Sequence, residues 1–151
     1  MRYSLGYAAL CLLLLLLTGC STTHTVRTAG TKTLSQELRE NWPDIRKVSF
    51  SFTRPNLYCT IQMENEPTAD ELTAMLDHIR GFATIEHMDH ITSSVGWSGR
   101  VSEFHLRIKA PEKELGYYSQ YFKTYDASNY SPENIEAYQI WHDDYTPPAS
   151  Q

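Results

Sequence analysis

Residues Val48–Met63 read VSFSFTRPNLYCTIQM, and this stretch has the clearest secondary-structure pattern of the chain. Two runs of strict alternation between apolar and polar side chains flank the turn-forming tripeptide Arg54-Pro55-Asn56. The apolar members are Val48, Phe50, Phe52, Leu57, Cys59, Ile61 and Met63. Because successive side chains of a strand point to opposite faces, alternation on both sides of a turn predicts a β-hairpin with one buried face.

Helical patterns lie on both sides of this hairpin. Downstream, Thr68-Ala69-Asp70-Glu71 has the form of a capping box and opens a helix. Its apolar stripe, at spacings of three and four, is Leu72, Met75, Leu76, Ile79 and Phe82. Residues 84–91 form a second, short candidate helix. Upstream, residues 34–41 predict a short helix with Ser35 as its cap and Pro43 as its stop.

The C-terminal half contains further strand patterns. Apolar residues at 104, 106 and 108 alternate with polar ones and predict a third strand. A turn at 111–114 leads into a predicted fourth strand over 116–125. Ser131-Pro132-Glu133 predicts one helical turn, because proline is favoured at the first helical position. Residues 136–142 have the aromatic and β-branched content of a fifth strand.

These elements predict an α+β fold, a two-layer sandwich. An antiparallel sheet of about five strands would bury one side under one main helix and short extra helices. Strands joined by hairpins allow the other side of the sheet to face solvent with polar and aromatic groups. We expect one α+β domain over residues 34–145 and a frayed tail over 146–151.

The N-terminus has the three parts of an export signal over residues 1–19: Arg2, an apolar run of about 13 residues, and small residues before Cys20. The run is short of the roughly 20 residues that a membrane-spanning helix needs. Leu17-Thr18-Gly19-Cys20 resembles the lipobox of bacterial lipoproteins. That resemblance implies acylation of Cys20, removal of the preceding peptide, and a lipid anchor on the extracytoplasmic face of the cell membrane. An uncleaved anchor and an ordinary secretory signal are the alternatives.

Residues 20–33 are polar and threonine-rich, which is typical of a flexible tether. The hairpin, the helix and the tyrosine-rich C-terminal part resemble small uncharacterised lipoproteins of Gram-positive bacteria, without a family-specific motif. After loss of residues 1–19 the net charge changes from −5 to −6, which argues against a nucleic-acid partner. Cys59 is then the one cysteine of the folded part, and its apolar strand position predicts a small buried hydrophobe.

The open face of the predicted sheet is the main candidate for a binding site. Tyrosine combines flat apolar area with a hydroxyl and suits a sugar ring or the backbone of a protein partner. The residues expected to form this candidate ligand face are Tyr58, His105, Arg107, Tyr117, Tyr121 and Tyr125, with Ser49, Ser51, Thr60, Gln62 and Lys109 around them. The alternative is an ordinary solvated face whose tyrosines only support cross-strand packing.

Two further site classes have weaker support. His87 and His90 lie three residues apart, share a helix face and are flanked by Glu86 and Asp89, which suits a metal ion. Residues 142–144, a histidine and two aspartates, would be further ligands. Gly96-Trp97-Ser98-Gly99-Arg100 is close to the nucleophile-elbow pattern of hydrolases, but arginine stands in place of the last glycine.

The sequence therefore favours a non-catalytic, lipid-anchored binding module without a cofactor. Its expected partners are the membrane, through the lipid, and an envelope glycan or protein, through the sheet face. The alternatives are a metal-binding lipoprotein that uses His87 and His90, and a small envelope hydrolase built on Ser98 or Cys59.

Overall fold

The computed structural model describes residues 22–124 and 126–144. The signal region, Cys20, Tyr125 and the predicted tail lie outside these ranges. The described strands are β1 (Thr23–Thr25), β2 (Ile45–Thr53), β3 (Asn56–Met63), β4 (Glu103–Lys109), β5 (Glu114–Gln120) and β6 (His142–Asp143). The described helices are α1 (Ala29–Asn41), α2 (Ala69–Phe82), α3 (Ile85–Ser94) and a single 3₁₀ turn, Pro132–Asn134. None of these helices is long and apolar enough to cross a bilayer.

The predicted hairpin is confirmed. Strands β2 and β3 pair antiparallel, with Phe50 opposite Cys59 and Phe52 opposite Leu57. The alternating apolar side chains point to one side, where Phe52, Leu57 and Cys59 are completely buried. This buried side of the hairpin forms one side of the hydrophobic core, as the alternation in the sequence requires.

The sheet contains six described strands in the order β1-β2-β3-β4-β5-β6. The α+β class is confirmed, but the pairing of β3 with β4 is parallel, whereas the sequence predicted an antiparallel sheet of about five strands. The parallel pair arises because α2 and α3 connect β3 to β4, and only a long crossover returns the chain in the same direction. Both helices pack on the buried side of the sheet, where Phe82 contacts Phe50 and Phe104.

The prediction of a flexible tether over residues 20–33 is wrong for residues 22–33, which the structure describes. Strand β1 pairs with the edge of β2, and the backbone N–H of Val26 donates to the carbonyl of Phe50 at 3.0 Å. Helix α1 begins at Ala29, and its cap is Thr28 instead of Ser35. The threonines that suggested a tether form a capping box: the Thr28 hydroxyl accepts from the Thr31 N–H, and the Thr31 hydroxyl accepts from the Thr28 N–H.

The two later helices start where the sequence predicted. Thr68 caps α2 in a reciprocal capping box with Glu71, and Met75, Ile79 and Phe82 face the core. Thr84 caps α3, whose buried face includes Met88 and Ile91. Helix α3 ends at Ser94, three residues later than predicted.

The predicted strands at the C-terminal end are longer than the observed ones. Strand β5 ends at Gln120, and the expected fifth strand over 136–142 is reduced to its last residue and the one after it in β6. Ala137 and Tyr138 have φ angles of 51° and 64°, which no strand contains. The fully buried Tyr138 side chain anchors this turn, since its hydroxyl donates to the carbonyl of Val101 at 2.5 Å.

Candidate functional site

Four ring side chains occupy directly paired positions on adjacent strands of the open sheet face. Tyr58 of β3 is opposite His105 of β4, which is opposite Tyr118 of β5, which is opposite His142 of β6. The centroids of neighbouring rings are 4.9, 6.1 and 5.0 Å apart. We call these four residues the aromatic row.

The alternation of each strand places the row on the face away from the helices. In β3 and β4 the neighbours of the row residues, Leu57, Cys59, Phe104 and Leu106, are completely buried in the core. The row residues themselves are half-buried. In the described ranges all three α-helices contribute their buried side chains to the core on the other side, so none of these helices covers the row.

The rings of the row face one another and turn their edges to solvent. The planes of Tyr58 and His105 are 13° apart, those of His105 and Tyr118 33°, and those of Tyr118 and His142 26°. Aromatic pairs add about 0.5–1.5 kcal/mol each beyond the area that they bury. The row is therefore a preorganised strip with polar ring edges at its surface.

Carboxylates hold both imidazoles of the row in place. The Nε2 atom of His105 is 2.9 Å from Glu103 Oε2, and its Nδ1 atom is 3.6 Å from Asp144 Oδ2. The Nε2 atom of His142 is 2.8 Å from the buried carboxylate of Glu136. These contacts fix the orientation of each ring and place negative charge beside it.

Asp144 reaches His105 because the intervening strand carries Gly116 at this level. The Asp144 N–H donates to the Gly116 carbonyl at 3.0 Å. A Cβ atom at position 116 would lie 3.2 Å from both the Cβ atom and the carbonyl oxygen of Asp144. Because Gly116 has no side chain, Asp144, the residue that follows β6, can lie close to β5.

A cleft of about 260 Å³ lies beside the row, with Glu103, Tyr118 and Gln120 on its wall. Next to it, the Asn56 amide donates to Glu103 Oε2 at 3.3 Å, and its buried Oδ1 atom has no hydrogen-bond partner. An unmatched but buried acceptor therefore lies next to the Glu103 carboxylate, close to the row.

The predicted position on the open sheet face is correct for some members of the candidate ligand face. Tyr58, His105 and Arg107 lie on the open face, together with Ser49, Ser51, Thr60, Gln62 and Lys109. Arg107 is exposed and lies 3.7 Å from the carboxylate of Glu114, which also contacts Lys109 at 3.5 Å.

The prediction was wrong for Tyr117 and Tyr121. Tyr117 is opposite Leu106 on the helix-covered side, and Tyr121 is buried against Tyr138. Tyr125 lies outside the described residues. The spacing of four correctly indicated that Tyr117 and Tyr121 point the same way, but it could not tell which face they share.

Tyr118 and His142 belong to the aromatic row, but the sequence did not predict them as members of the candidate ligand face. The turn that joins β4 to β5 pairs Lys109 with Glu114, and this register forces His105 opposite Tyr118. The turn at residues 111–114 was visible in the sequence, and counting outward from it would have identified Tyr118. His142 carried no such signal, because the irregular segment before β6 sets its pairing.

The structure does not bring the two histidines of the proposed metal site together with further ligands in the described residues. The Nδ1–H group of His87 donates to the carbonyl of Phe82 at 2.8 Å, and its ring stacks on the Phe82 ring. His90 is exposed. Residues 22–124 and 126–144 contain no group of three or more His, Cys, Asp or Glu side chains placed to hold a metal ion.

The residues considered for hydrolysis lie apart from the aromatic row. Ser98 is exposed in the turn after α3. Arg100 lies 3.6 Å from Asp89 and covers the ring of Tyr121 at 4.4 Å. Burial raises the pKa of the Cys59 thiol, so this group stays neutral and unreactive, in line with the predicted buried hydrophobe.

The tryptophans pack against the core. Trp97 contacts Phe52, and the indole N–H of Trp141 donates to the carbonyl of Leu76 at 2.9 Å. The arrangement that stands out is thus the aromatic row with its carboxylates, which is suited to recognition. No family model, curated protein or solved structure matches this chain, so its function is argued from this geometry.

Proposed function

We propose that the protein is a non-catalytic binding module, anchored by a lipid on Cys20 at the extracytoplasmic face of the cell membrane, and that the aromatic row binds its partner. The observation that supports this most strongly is the in-register placement of Tyr58, His105, Tyr118 and His142 on the sheet face that no helix of residues 22–124 and 126–144 covers. Helices fill the other face with apolar residues, whereas this face keeps four half-buried rings without a covering element in the described ranges.

For His105, recognition fits the site better than catalysis does. A general base needs a free ring nitrogen aimed at a substrate. In His105 one nitrogen contacts Glu103 and the other lies near Asp144. These carboxylates therefore position the imidazole within the row. Cys59, the candidate nucleophile nearest to Tyr58 in sequence, points into the core.

The orientation of the rings favours a protein partner over a glycan. A sugar packs its C–H face against the flat face of an aromatic ring, but the row stacks its ring faces on one another. What the row offers is a line of ring edges with carboxylates beside it. Tyrosine-rich surfaces of this kind are enriched in protein interfaces, where rigid aromatic side chains lose little entropy on binding.

The experiment is a pull-down from detergent-solubilised envelopes with the full chain carrying a C-terminal tag. The double variant Tyr58→Ala, His105→Ala should lose the retained protein, because it removes two rings of the row. The Tyr58→Phe variant keeps the stack and should retain it. The matched control is Tyr130→Ala, since Tyr130 is a highly exposed tyrosine outside the row.

Three results would contradict the proposal. The row is not the site if the double variant retains as much partner as the unmodified chain. The partner is a glycan if digestion of the envelopes with a muralytic enzyme abolishes retention and protease treatment does not. The anchor is wrong if Cys20→Ser leaves the protein membrane-bound and still labelled by fatty acid.

A further inference from the structure

A basic groove lies at the sheet edge opposite to β6. It has a volume of about 510 Å³ and runs between helix α1 and the edge formed by β1 and β2. Its lining includes the four exposed cations Arg27, Lys32, Arg39 and Lys47, and no carboxylate. We call these four residues and the cavity between them the basic groove.

The charges of the basic groove are not neutralised within the described residues. Twelve arginines and lysines are described, and half of them contact a carboxylate within ion-pair distance: Arg46, Arg80, Arg100, Arg107, Lys109 and Lys113. Four of the remaining six are the groove cations. In a chain of net charge −5, this local concentration of unpaired positive charge attracts anions to one face of the protein.

The guanidinium and ammonium groups of the groove suit a phosphate. Thr31, Ser35 and Ser49 also line the cavity, but their hydroxyls donate to the backbone carbonyls of Thr28, Thr31 and Thr60. The Arg39 Nε–H group donates to the Ser35 carbonyl at 3.0 Å, which fixes the side chain while leaving its terminal nitrogens available. Guanidinium and ammonium donors around one cavity are groups that proteins use for phosphate.

The groove also lies close to the expected lipid attachment. Strand β1 begins at Thr23, three residues after Cys20, and three residues span at most about 11 Å. The ordered body therefore starts almost at the anchor instead of at the end of a long tether. Since β1 is an edge strand of the sheet, this edge and the basic groove beside it are nearest to the headgroups.

We propose that the basic groove docks the anchored domain on the phosphate-bearing headgroups of an anionic membrane. The proposal rests on the lipid anchor of the proposed function. It deepens that function, because it sets the orientation of the body. The far edge of the sheet, at β6, is five strand spacings from β1, or about 24 Å. Docking through the β1 edge therefore holds the β6 end of the aromatic row, with Tyr118 and His142, clear of the lipid.

The test is lysine footprinting on the full-length lipidated protein in vesicles. The protein is first confirmed as acylated by intact mass, which separates a failure of the anchor from a failure of docking. An amine-reactive reagent then labels it in vesicles of equal parts phosphatidylglycerol and phosphatidylcholine, and in vesicles of phosphatidylcholine alone. Lys32 and Lys47 should be labelled several-fold less in the anionic vesicles, and high salt should restore their labelling. Lys123, outside the groove and in no ion pair with another described residue, is the internal control and should not change.

A variant measures the strength of the contact. In the Cys20→Ser background, we expect Lys32→Gln, Lys47→Gln to weaken binding of added protein to the anionic vesicles. The expected loss is about fivefold per cation, which corresponds to ~1 kcal/mol each. The matched control is Lys109→Gln, Lys113→Gln, which removes two lysines already paired with carboxylates.

Two outcomes would overturn the proposal. Docking on headgroups is wrong if Lys32 and Lys47 are labelled as readily in anionic as in neutral vesicles. The site takes a free anion instead of a membrane if inorganic phosphate alone protects both lysines in neutral vesicles to the same extent.

Discussion

The Tyr58 and His105 rings stack with centroids 4.9 Å apart and planes 13° from parallel, at directly paired positions of the parallel strands β3 and β4. The two residues are 47 positions apart in sequence, and helices α2 and α3 lie between them. The stack therefore exists only when the crossover has folded and the parallel pair has formed. A partner that binds the aromatic row therefore binds only the completely folded protein.

Strand β6 depends on the missing side chain at Gly116. We expect Gly116→Val to push Asp144 away from the sheet, because the added Cβ alone would lie 3.2 Å from two Asp144 atoms. The free energy of unfolding should fall by about 1–3 kcal/mol, as for other overpacked sites. Urea denaturation measures this change, and hydrogen exchange at the Asp144 amide reports the detachment.

Gly81 gives the opposite result and serves as the control. It lies in the last turn of α2, and a Cβ atom there would meet nothing within 4 Å. Gly81→Ala should raise stability by about 0.5–1 kcal/mol, because alanine is the better helix former. Equal effects of the two substitutions would contradict the proposed crowding at Gly116.

The start of helix α1 depends on Thr28. Its hydroxyl accepts from the Thr31 N–H in a buried capping box, so Thr28→Ala should cost about 1–2 kcal/mol. The control Thr33→Ala, an exposed position inside the same helix, should be neutral or slightly stabilising. Urea denaturation checks both. A flexible tether through residue 33 would instead leave stability unchanged in Thr28→Ala.

Stability should fall in alkaline solution. Burial is the main cause that raises the pKa of Tyr138 above its ordinary value of 10.0, and burial followed by the nearby Asp143 raises that of Tyr117. Above about pH 10 the unfolded state releases these protons while the folded state keeps them. The stabilisation is therefore complete below that pH and is lost above it.

The Tyr138→Phe variant tests the alkaline effect. At neutral pH it should be less stable by about 1 kcal/mol, because the hydrogen bond to Val101 is lost. Above pH 10 its stability should fall less steeply than that of the unmodified protein. Urea midpoints across this pH range give the comparison, and parallel curves would rule out a contribution from Tyr138.

Cys59 should react with thiol reagents only when the protein unfolds. Its side chain is completely buried, and burial raises its pKa, so both access and thiolate are missing. In Thr60→Cys the new thiol lies on the open face next to it and should label rapidly. Peptide mass spectrometry measures labelling at the two sites. Fast labelling of Cys59 in native buffer would contradict the assignment of its side chain to the buried face of β3.

Local patterns predicted the hairpin, the cap at Thr68, the start of α3 near residue 84, and the side on which Tyr58 and His105 lie. Each depends on residues a few positions apart, where propensity and alternation act directly. The parallel β3–β4 pair, by contrast, depends on contacts across a long crossover. No local pattern distinguishes it from an antiparallel neighbour.

The errors at both ends of the chain have the same physical origin. The threonines of residues 22–33 looked like a solvated linker, yet Thr28 and Thr31 are buried because Val26 and Leu34 pack into the core. Near the C-terminus, burial of Tyr138 imposes a positive φ on a segment whose composition favoured a strand. Tertiary packing decided both segments against their local preference.

The most direct test of the proposed function compares two neighbouring tyrosines. A photo-crosslinking amino acid replaces Tyr118, on the open face, or Tyr117, on the helix-covered face, in the full chain expressed in its host. After irradiation of intact cells, we expect a specific adduct from position 118 and little or no adduct from position 117. The adduct from position 118 should be lost in His105→Ala. Equal adduct formation at both positions, or none at position 118, would contradict the assignment of the aromatic row as the binding site.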